Sequence, residues 1–298
     1  MRYKTLITTF LFALFIATGD VVKAQSAKNQ SLKISKRGNY QDYFSYKGDG
    51  SVLISGHRGG REKGFPENSV EGFKNVLKKV PAIFEIDPRL TKDSVIVLMH
   101  DATLDRTTTG KGPLSDYTWK QLQSFRLKDS DGNVTPYKIP TLQKVIKWSK
   151  GRTVVNLDKK DVPMGMIVAL IKQLHAENRV MLTVHTGEQA RYYYDRFPSV
   201  MMSAFSRTQK EYEDMDKSGV PWKNMIAYVG PSFNAGNKEI VESLHAKGVR
   251  CMISLAPTHD QLKTPGERQK AYLQEISKQP DIIESDIPTE ISTALKSR

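Results

Sequence analysis

Seven side chains able to carry acid–base or ionic chemistry stand at the ends of short apolar runs. They are His57 and Arg58, Glu85 and Asp87, His100, and Asp158 with Lys160. Asp101 follows His100, and Asn156 shares the run that ends in Asp158. Singly, such residues are ordinary caps or surface groups. Together they are not, because carboxylates gathered in one place repel unless a cation or a phosphate group neutralises them. The pattern therefore points to an ionic site, and oxygen-only donors favour Ca2+ or Mg2+ over zinc.

The elements that must position these residues are legible from periodicity. Nine β-branched-rich runs, Val52–Ser55, Ala82–Ile86, Val95–Met99, Thr153–Leu157, Arg179–Val184, Val200–Ala204, Met225–Val229, Arg250–Leu255 and Ile282–Ser285, alternate with helical patterns. That alternation predicts a parallel sheet of βα units. Helix starts are marked by Asn68 with Glu71 three residues on, and by Thr141 ahead of Leu142, Val145 and Ile146. One connection is abnormal. Only Thr91 to Ser94 separate Leu90 from Val95, too short for a parallel crossover of about a dozen residues. An antiparallel hairpin centred between Lys92 and Asp93 would set Glu85 opposite His100 and Asp87 opposite Leu98, with Glu85, Asp87 and His100 on one face. The eight remaining strands predict a TIM (β/α)8 barrel with a small hairpin-containing insertion, about residues 91–138, after the second strand. A site in such a barrel lies at the C-terminal strand ends.

Composition narrows the class. The chain has 298 residues, 45 Lys+Arg against 32 Asp+Glu, and one cysteine, which excludes a disulfide scaffold and a cysteine-based zinc cluster. Arg2 and Lys4, the apolar run Leu6–Ala17 and then Val22-Lys23-Ala24 read as a cleaved secretory signal over residues 1–24, since the run is too short to span a bilayer. Export to a periplasmic or extracellular space is the expectation. Residues 25–50 are polar and read as a linker or a tail laid over the domain, with the barrel over 51–298. A net charge of +13 suits an anionic small molecule and allows weak association with an anionic membrane surface. Nucleic acid is not expected, because the basic residues are spread along the chain rather than clustered in a recognition motif. Oligomeric state is left open.

The segments GHRGG and FPENS within 56–69, FEIDPRLTKD at 84–93, VLMHDATLDRTTTGKG at 97–112, IPTL at 139–142, NLDKK at 156–160 and IIESDIP at 282–288 resemble the glycerophosphodiester phosphodiesterase family. The resemblance runs from about residue 51 to the C-terminus and is densest in the first half. It implies a TIM-barrel enzyme that uses one divalent cation, Ca2+ or Mg2+, to hydrolyse glycerophosphodiesters to glycerol phosphate and an alcohol. Carried over by position, it makes His57 and His100 the general acid and base, gives Arg58 and Lys160 the phosphate oxygens, and gives Glu85, Asp87 and Asp158 the metal. Imidazole titrates near neutral pH, as such a division of labour needs. In relatives the attacking group is the substrate's own neighbouring hydroxyl, and water then opens a cyclic phosphate.

Two departures from that pattern stand out. Asp158 replaces the family's glutamate and is one methylene shorter, so an ion must sit closer or a water must bridge. Cys251 to Leu255 occupies the place of a Trp-Thr-Val-Asn type segment that borders the substrate in relatives. Minor candidates are Glu67, Asn68 and His185. Asn68 is expected first as a helix cap and second as a partner orienting His57. His185 faces the mouth after its strand, whereas His175, His245 and His259 read as structural, the last two with no evident carboxylate partner. Arg106 is read either as part of a substrate lid or as a turn residue. The alternatives to a glycerophosphodiesterase are a phospholipase C- or D-like enzyme on intact lipid, which would want an apolar rim, and a catalytically silent phosphate-ester-binding protein.

Overall fold

A computed structural model describes residues 30–32 and 40–297; the expected signal over 1–24 lies outside the described residues. Among the described residues ten strands form in chain order: β1 (Leu53–Gly56), β2 (Ile83–Ile86), β3 (Pro88–Leu90), β4 (Ile96–Leu98), β5 (Val155–Leu157), β6 (Val180–Val184), β7 (Met201–Phe205), β8 (Met225–Tyr228), β9 (Cys251–Ser254) and β10 (Ile282–Ser285). Eight close into a barrel in the order β1-β10-β9-β8-β7-β6-β5-β2, and β3 and β4 form a separate two-stranded sheet. The fold is the expected TIM barrel.

Strand alternation sorts the barrel into layers. Leu53, Ile83, Val154, Met181, Met201, Ile226, Met252 and Ile282 share one apolar cluster inside the barrel. Two residues further along each strand, the same inward face carries Ser55, Glu85, Asn156, Thr183, Ser203, Tyr228, Ser254 and Glu284. Residues between them, such as Phe84, Val155, Leu182, Met202 and Ile253, turn outward into the cluster shared with the surrounding helices. The lower layer is thus wholly apolar and the upper wholly polar.

The lower end is closed by the short helix Tyr40–Phe44, inside the stretch read as linker or tail. Phe44 is fully buried, and Tyr40 donates its hydroxyl to the Val180 carbonyl. Arg250 fastens the segment by donating to the Ser45 and Ser51 carbonyls at 3.0 and 2.9 Å.

The hairpin forms with a register one residue away from the expected one. Pro88 pairs with Leu98, Arg89 with Val97 and Leu90 with Ile96, and the Met99 amide donates to the Asp87 carbonyl. Asp87 therefore faces Met99 and not Leu98, and Glu85 has no hairpin partner because it belongs to barrel strand β2. The cause is the turn. Thr91 donates to the Val95 carbonyl, leaving the three residues Lys92 to Ser94 as the loop, with Ser94 at φ 60°. A turn closed by a left-handed third residue has an odd count, whereas a four-residue loop would have kept the even one. From β4 onward, Val97, Met99, Leu104, Leu114, Leu122, Leu127 and Ile139 make a small core of their own beside the barrel.

Helix starts follow local chemistry. Thr141 caps the helix Leu142–Ser149 by accepting from the Lys144 amide at 3.2 Å, as expected. The earlier start is displaced by one residue. Ser69, not Asn68, caps Val70–Leu77 by accepting from the Gly72 amide at 3.0 Å. Asn68 is held at φ 54° and spends its side chain elsewhere.

Candidate active site

After β1 the chain turns sharply through His57–Gly59, with Arg58 at φ 52° and Gly59 at φ 88°. A Cβ on Gly59 would run into the Phe73 ring, so only glycine fits there. The turn lifts His57 and Arg58 over the upper end of the barrel. There a cleft of about 530 Å³ is lined by His57, Arg58, Glu85 and Asp158 among others, with the polar layer as its floor. Asp87, Lys160 and His100 adjoin this cleft without lining it.

The three acidic residues converge: Glu85, Asp87 and Asp158 each place a carboxylate oxygen within 4.8 Å of the others. Asp87 is 1 % exposed. It accepts from Asn68 Nδ2 at 2.7 Å while its own amide donates to Asn68 Oδ1 at 3.1 Å. Asn68 therefore fixes Asp87, not His57, because its left-handed backbone turns the side chain toward β2. Glu85 Oε2 accepts from the Arg58 amide at 3.0 Å. Lys160 Nζ lies between two of the carboxylates, 3.1 Å from Asp87 and 2.7 Å from Asp158. Burial and the charge of Asp87 push the Glu85 carboxyl well above the usual carboxylate range. Burial also works to raise Asp158, but His185 and Lys160 outweigh it and hold that carboxyl down at about 2. His185 Nε2 stands 3.8 Å from Asp158, and its ring packs on Phe205.

The two histidines have parallel surroundings. His57 Nδ1 is 2.8 Å from Asp286 Oδ1, and Arg61 pairs with the other oxygen of Asp286 at 2.6 Å. Burial alone would lower the His57 imidazole; the bond to Asp286 and the charges of Glu85 and Glu284 prevail and push it up to about 9. His100 Nδ1 is 2.7 Å from Asp101 Oδ1. Arg106 joins Asp101 at 2.7 Å and Glu67 at 2.8 Å, so it bridges the hairpin segment to the loop after β1. In both histidines a carboxylate takes Nδ1, which leaves Nε2 for other work.

Sequence reasoning missed Asp286 and Glu284. Both lie in the IIESDIP segment at the end of β10, and the rule that directed attention to strand ends in the first half would have found them. Glu284 lines the cleft floor, and burial raises its carboxyl. Two other expectations are corrected. His245 has a carboxylate partner, Asp281, at 2.8 Å, and His259 lies 3.5 Å from Glu275. Neither histidine lines the cleft, and His175 ends the helix Met164–Leu174 at φ 47°.

The chain is similar to a glycerophosphoryl diester phosphodiesterase from Parabacteroides distasonis, with 52% identity, a TM-score of 0.84 and coverage of 87% of this chain and 92% of that one. A glycerophosphodiester phosphodiesterase of Bacillus altitudinis is 28% identical over 207 residues, 65% of this chain and 81% of its own. A phosphodiesterase of Oleispira antarctica, solved with the product sn-glycerol-3-phosphate, shares the fold at 20% identity, with a TM-score of 0.63 and coverage of 83% and 97%. The glycerophosphoryl diester phosphodiesterase family model matches residues 57–253, a span that begins at His57 and takes in the hairpin and the three carboxylates. On that match and the mouth just described, the chain belongs to the glycerophosphoryl diester phosphodiesterase family.

Proposed function

We propose that this chain hydrolyses deacylated glycerophosphodiesters to glycerol phosphate and an alcohol with the help of one divalent cation. One observation carries the reading: an imidazole held by Asp286 shares a cleft with Glu85 and Asp158, and Asp87 converges on both from beside it. The carboxylates fit a hard cation. Their donors are all oxygen, and the Lys160 ammonium already lies between two of them, so that space accepts positive charge. A bound Ca2+ or Mg2+ would stabilise charge on the non-bridging phosphate oxygens.

The remaining work falls to the chain's own side chains. Arg58 and Lys160 supply positive charge to the phosphate. His57, pushed up to about 9, is protonated at neutral pH and suits the transfer of a proton to the leaving alkoxide. His100, with Nδ1 held by Asp101, takes the proton of the attacking hydroxyl. Asp286 and Asp101 are positioning residues that fix the two rings.

Deacylated substrates are favoured over intact lipid by the surroundings of the mouth. Among the described residues the exposed large apolar side chains are Val134, Leu262 and Leu273, and none of them lines the cleft. The test is to incubate the protein with deacylated and intact phospholipids, with EDTA or with added Ca2+ or Mg2+, and to identify the phosphorus-containing products. Cation-dependent release of glycerol phosphate supports the reading. Undiminished turnover in EDTA would remove the metal from it, and cleavage of intact lipid alone would replace it with a phospholipase. Export is proposed alongside, from the charged start and short apolar run of residues 1–24. Recovery of the protein only inside the cell would refute export, and exported protein that still begins at Met1 would refute removal of residues 1–24.

A further inference from the structure

The polar layer beneath the cleft contains a carboxylate that the proposed chemistry does not use. Glu284 points inward from β10, paired in register with Ser55 of β1 on one side and Ser254 of β9 on the other. It is 7% exposed, yet it lines the cleft. Its Oε2 accepts from the Ser55 hydroxyl at 3.2 Å, and Ser254 steadies its charge from the other side. Tyr228, Ser203 and Thr183 continue the same floor round the barrel. Glu85, the other carboxylate of this layer, belongs to the convergent trio; Glu284 stands outside that trio, attracted by the His57 imidazole and bonded by the Ser55 hydroxyl.

A carboxylate offers about four acceptor positions, and the Ser55 hydroxyl takes one of them, with Ser254 beside it in register. A buried carboxylate that is left short of donors is costly, so its place on an open floor calls for donors that arrive with the ligand. Neutral hydroxyl groups meet that need. An anionic group would be repelled by Glu284. A bulky cationic head group would have to descend past Arg58, Arg61 and Arg207, which stand round the same cleft.

We propose that Glu284 is a specificity-determining residue that accepts hydrogen bonds from the hydroxyl groups of the substrate's buried, polyol arm, with Ser254 and Tyr228 beside it. This rests on the phosphodiesterase reading of the same cleft. The phosphate then lies at His57 and Arg58, and the hydroxylated arm descends onto the floor.

The test compares two ligands of equal carbon number, sn-glycerol 3-phosphate and n-propyl phosphate, which lacks the two hydroxyls. Binding to the whole protein is measured by calorimetry, with EDTA and with Mg2+, for the wild type, Glu284→Gln and Glu284→Ala. The wild type is expected to prefer the glycerol ester by about tenfold or more, the range for hydrogen bonds to a charged acceptor. Glu284→Gln should lose most of that preference and keep its affinity for n-propyl phosphate. Melting temperatures of the unliganded variants check that each is folded, and the isosteric glutamine keeps the test available if alanine does not fold. An unchanged preference in Glu284→Gln overturns the proposal, as does equal weakening of both ligands, which would mean that Glu284 acts only through His57. A wild type without any preference also overturns it. A protein that shows the preference but cleaves no phosphodiester would refute the phosphodiesterase reading and leave the hydroxyl-reading role of Glu284 supported.

Discussion

The two inward layers of the barrel share the same strands and the same pleat, but opposite physics holds them. The lower layer, from Ile83 round to Ile282, packs against Tyr40 and Phe44 and is stabilised by removal of apolar surface from water. The upper layer crowds Glu85 and Glu284 under Asp158 and His57, an arrangement that burial disfavours and that only mutual partners and an incoming ligand offset. A two-residue step along a strand therefore moves from stabilising packing to electrostatic tension. Substitutions above should change activity, and substitutions below should change stability.

The largest effect should follow from the histidines. His57→Ala and His100→Ala are each expected to lower kcat by a factor of about 10²–10⁴, the usual contribution of a general acid or base, with the fold retained. Steady-state rates decide this; near-normal turnover of His57→Ala would break the division between the layers. Next comes the lower layer. Phe44→Ala, a large-to-small change at a fully buried site, should cost about 3–5 kcal/mol of unfolding free energy. Denaturant titration reads that loss, and kcat/KM of the folded fraction should stay near the wild-type value.

Asp158 tests the mouth from the side of the cation. Binding of an ion only to the folded state should raise the melting temperature by mass action. Asp158→Asn should weaken that rise and the cation dependence of activity together. In Asp158→Glu a site fitted to the shorter arm loses activity, whereas a water-bridged site retains it. If Asp158→Asn left both readouts unchanged, Asp158 would serve only as the partner of Lys160 seen at 2.7 Å.

The last effect is a pH dependence of stability in the metal-free protein. The His57 imidazole is pushed up to about 9 in the folded state, above its unfolded value of about 6.5. A raised folded value means that the stabilising contribution is complete below about pH 6.5 and is lost as pH rises toward 9. Melting temperatures in EDTA should therefore fall over that window. Asp286→Asn, which removes the negative charge beside His57 Nδ1, should flatten the fall, while the deficit of Phe44→Ala should be the same across the window. A parallel pH profile for Asp286→Asn and wild type would show that the bond at 2.8 Å does not carry the shift.

What the sequence determined by itself was everything written in local periodicity and residue type. The eight parallel strands, the hairpin at Thr91 to Ser94, the Thr141 cap and the identities of His57, Glu85, Asp87 and Asp158 are all of that kind, because pleat alternation, capping and short turns depend on near neighbours in the chain. Tertiary structure decided which side chains meet. Barrel closure lays β10 against β1, so His57 finds Asp286 229 positions away. The same closure sets Glu284 between two serines from different strands. A single left-handed residue, Ser94, moved the hairpin register by one, and another, Asn68, turned from a helix cap into the partner of Asp87. Lys160 settled between two carboxylates and Tyr40 and Phe44 under the barrel for the same reason: partners far apart in sequence are chosen by the geometry of the closed fold, which no local pattern encodes.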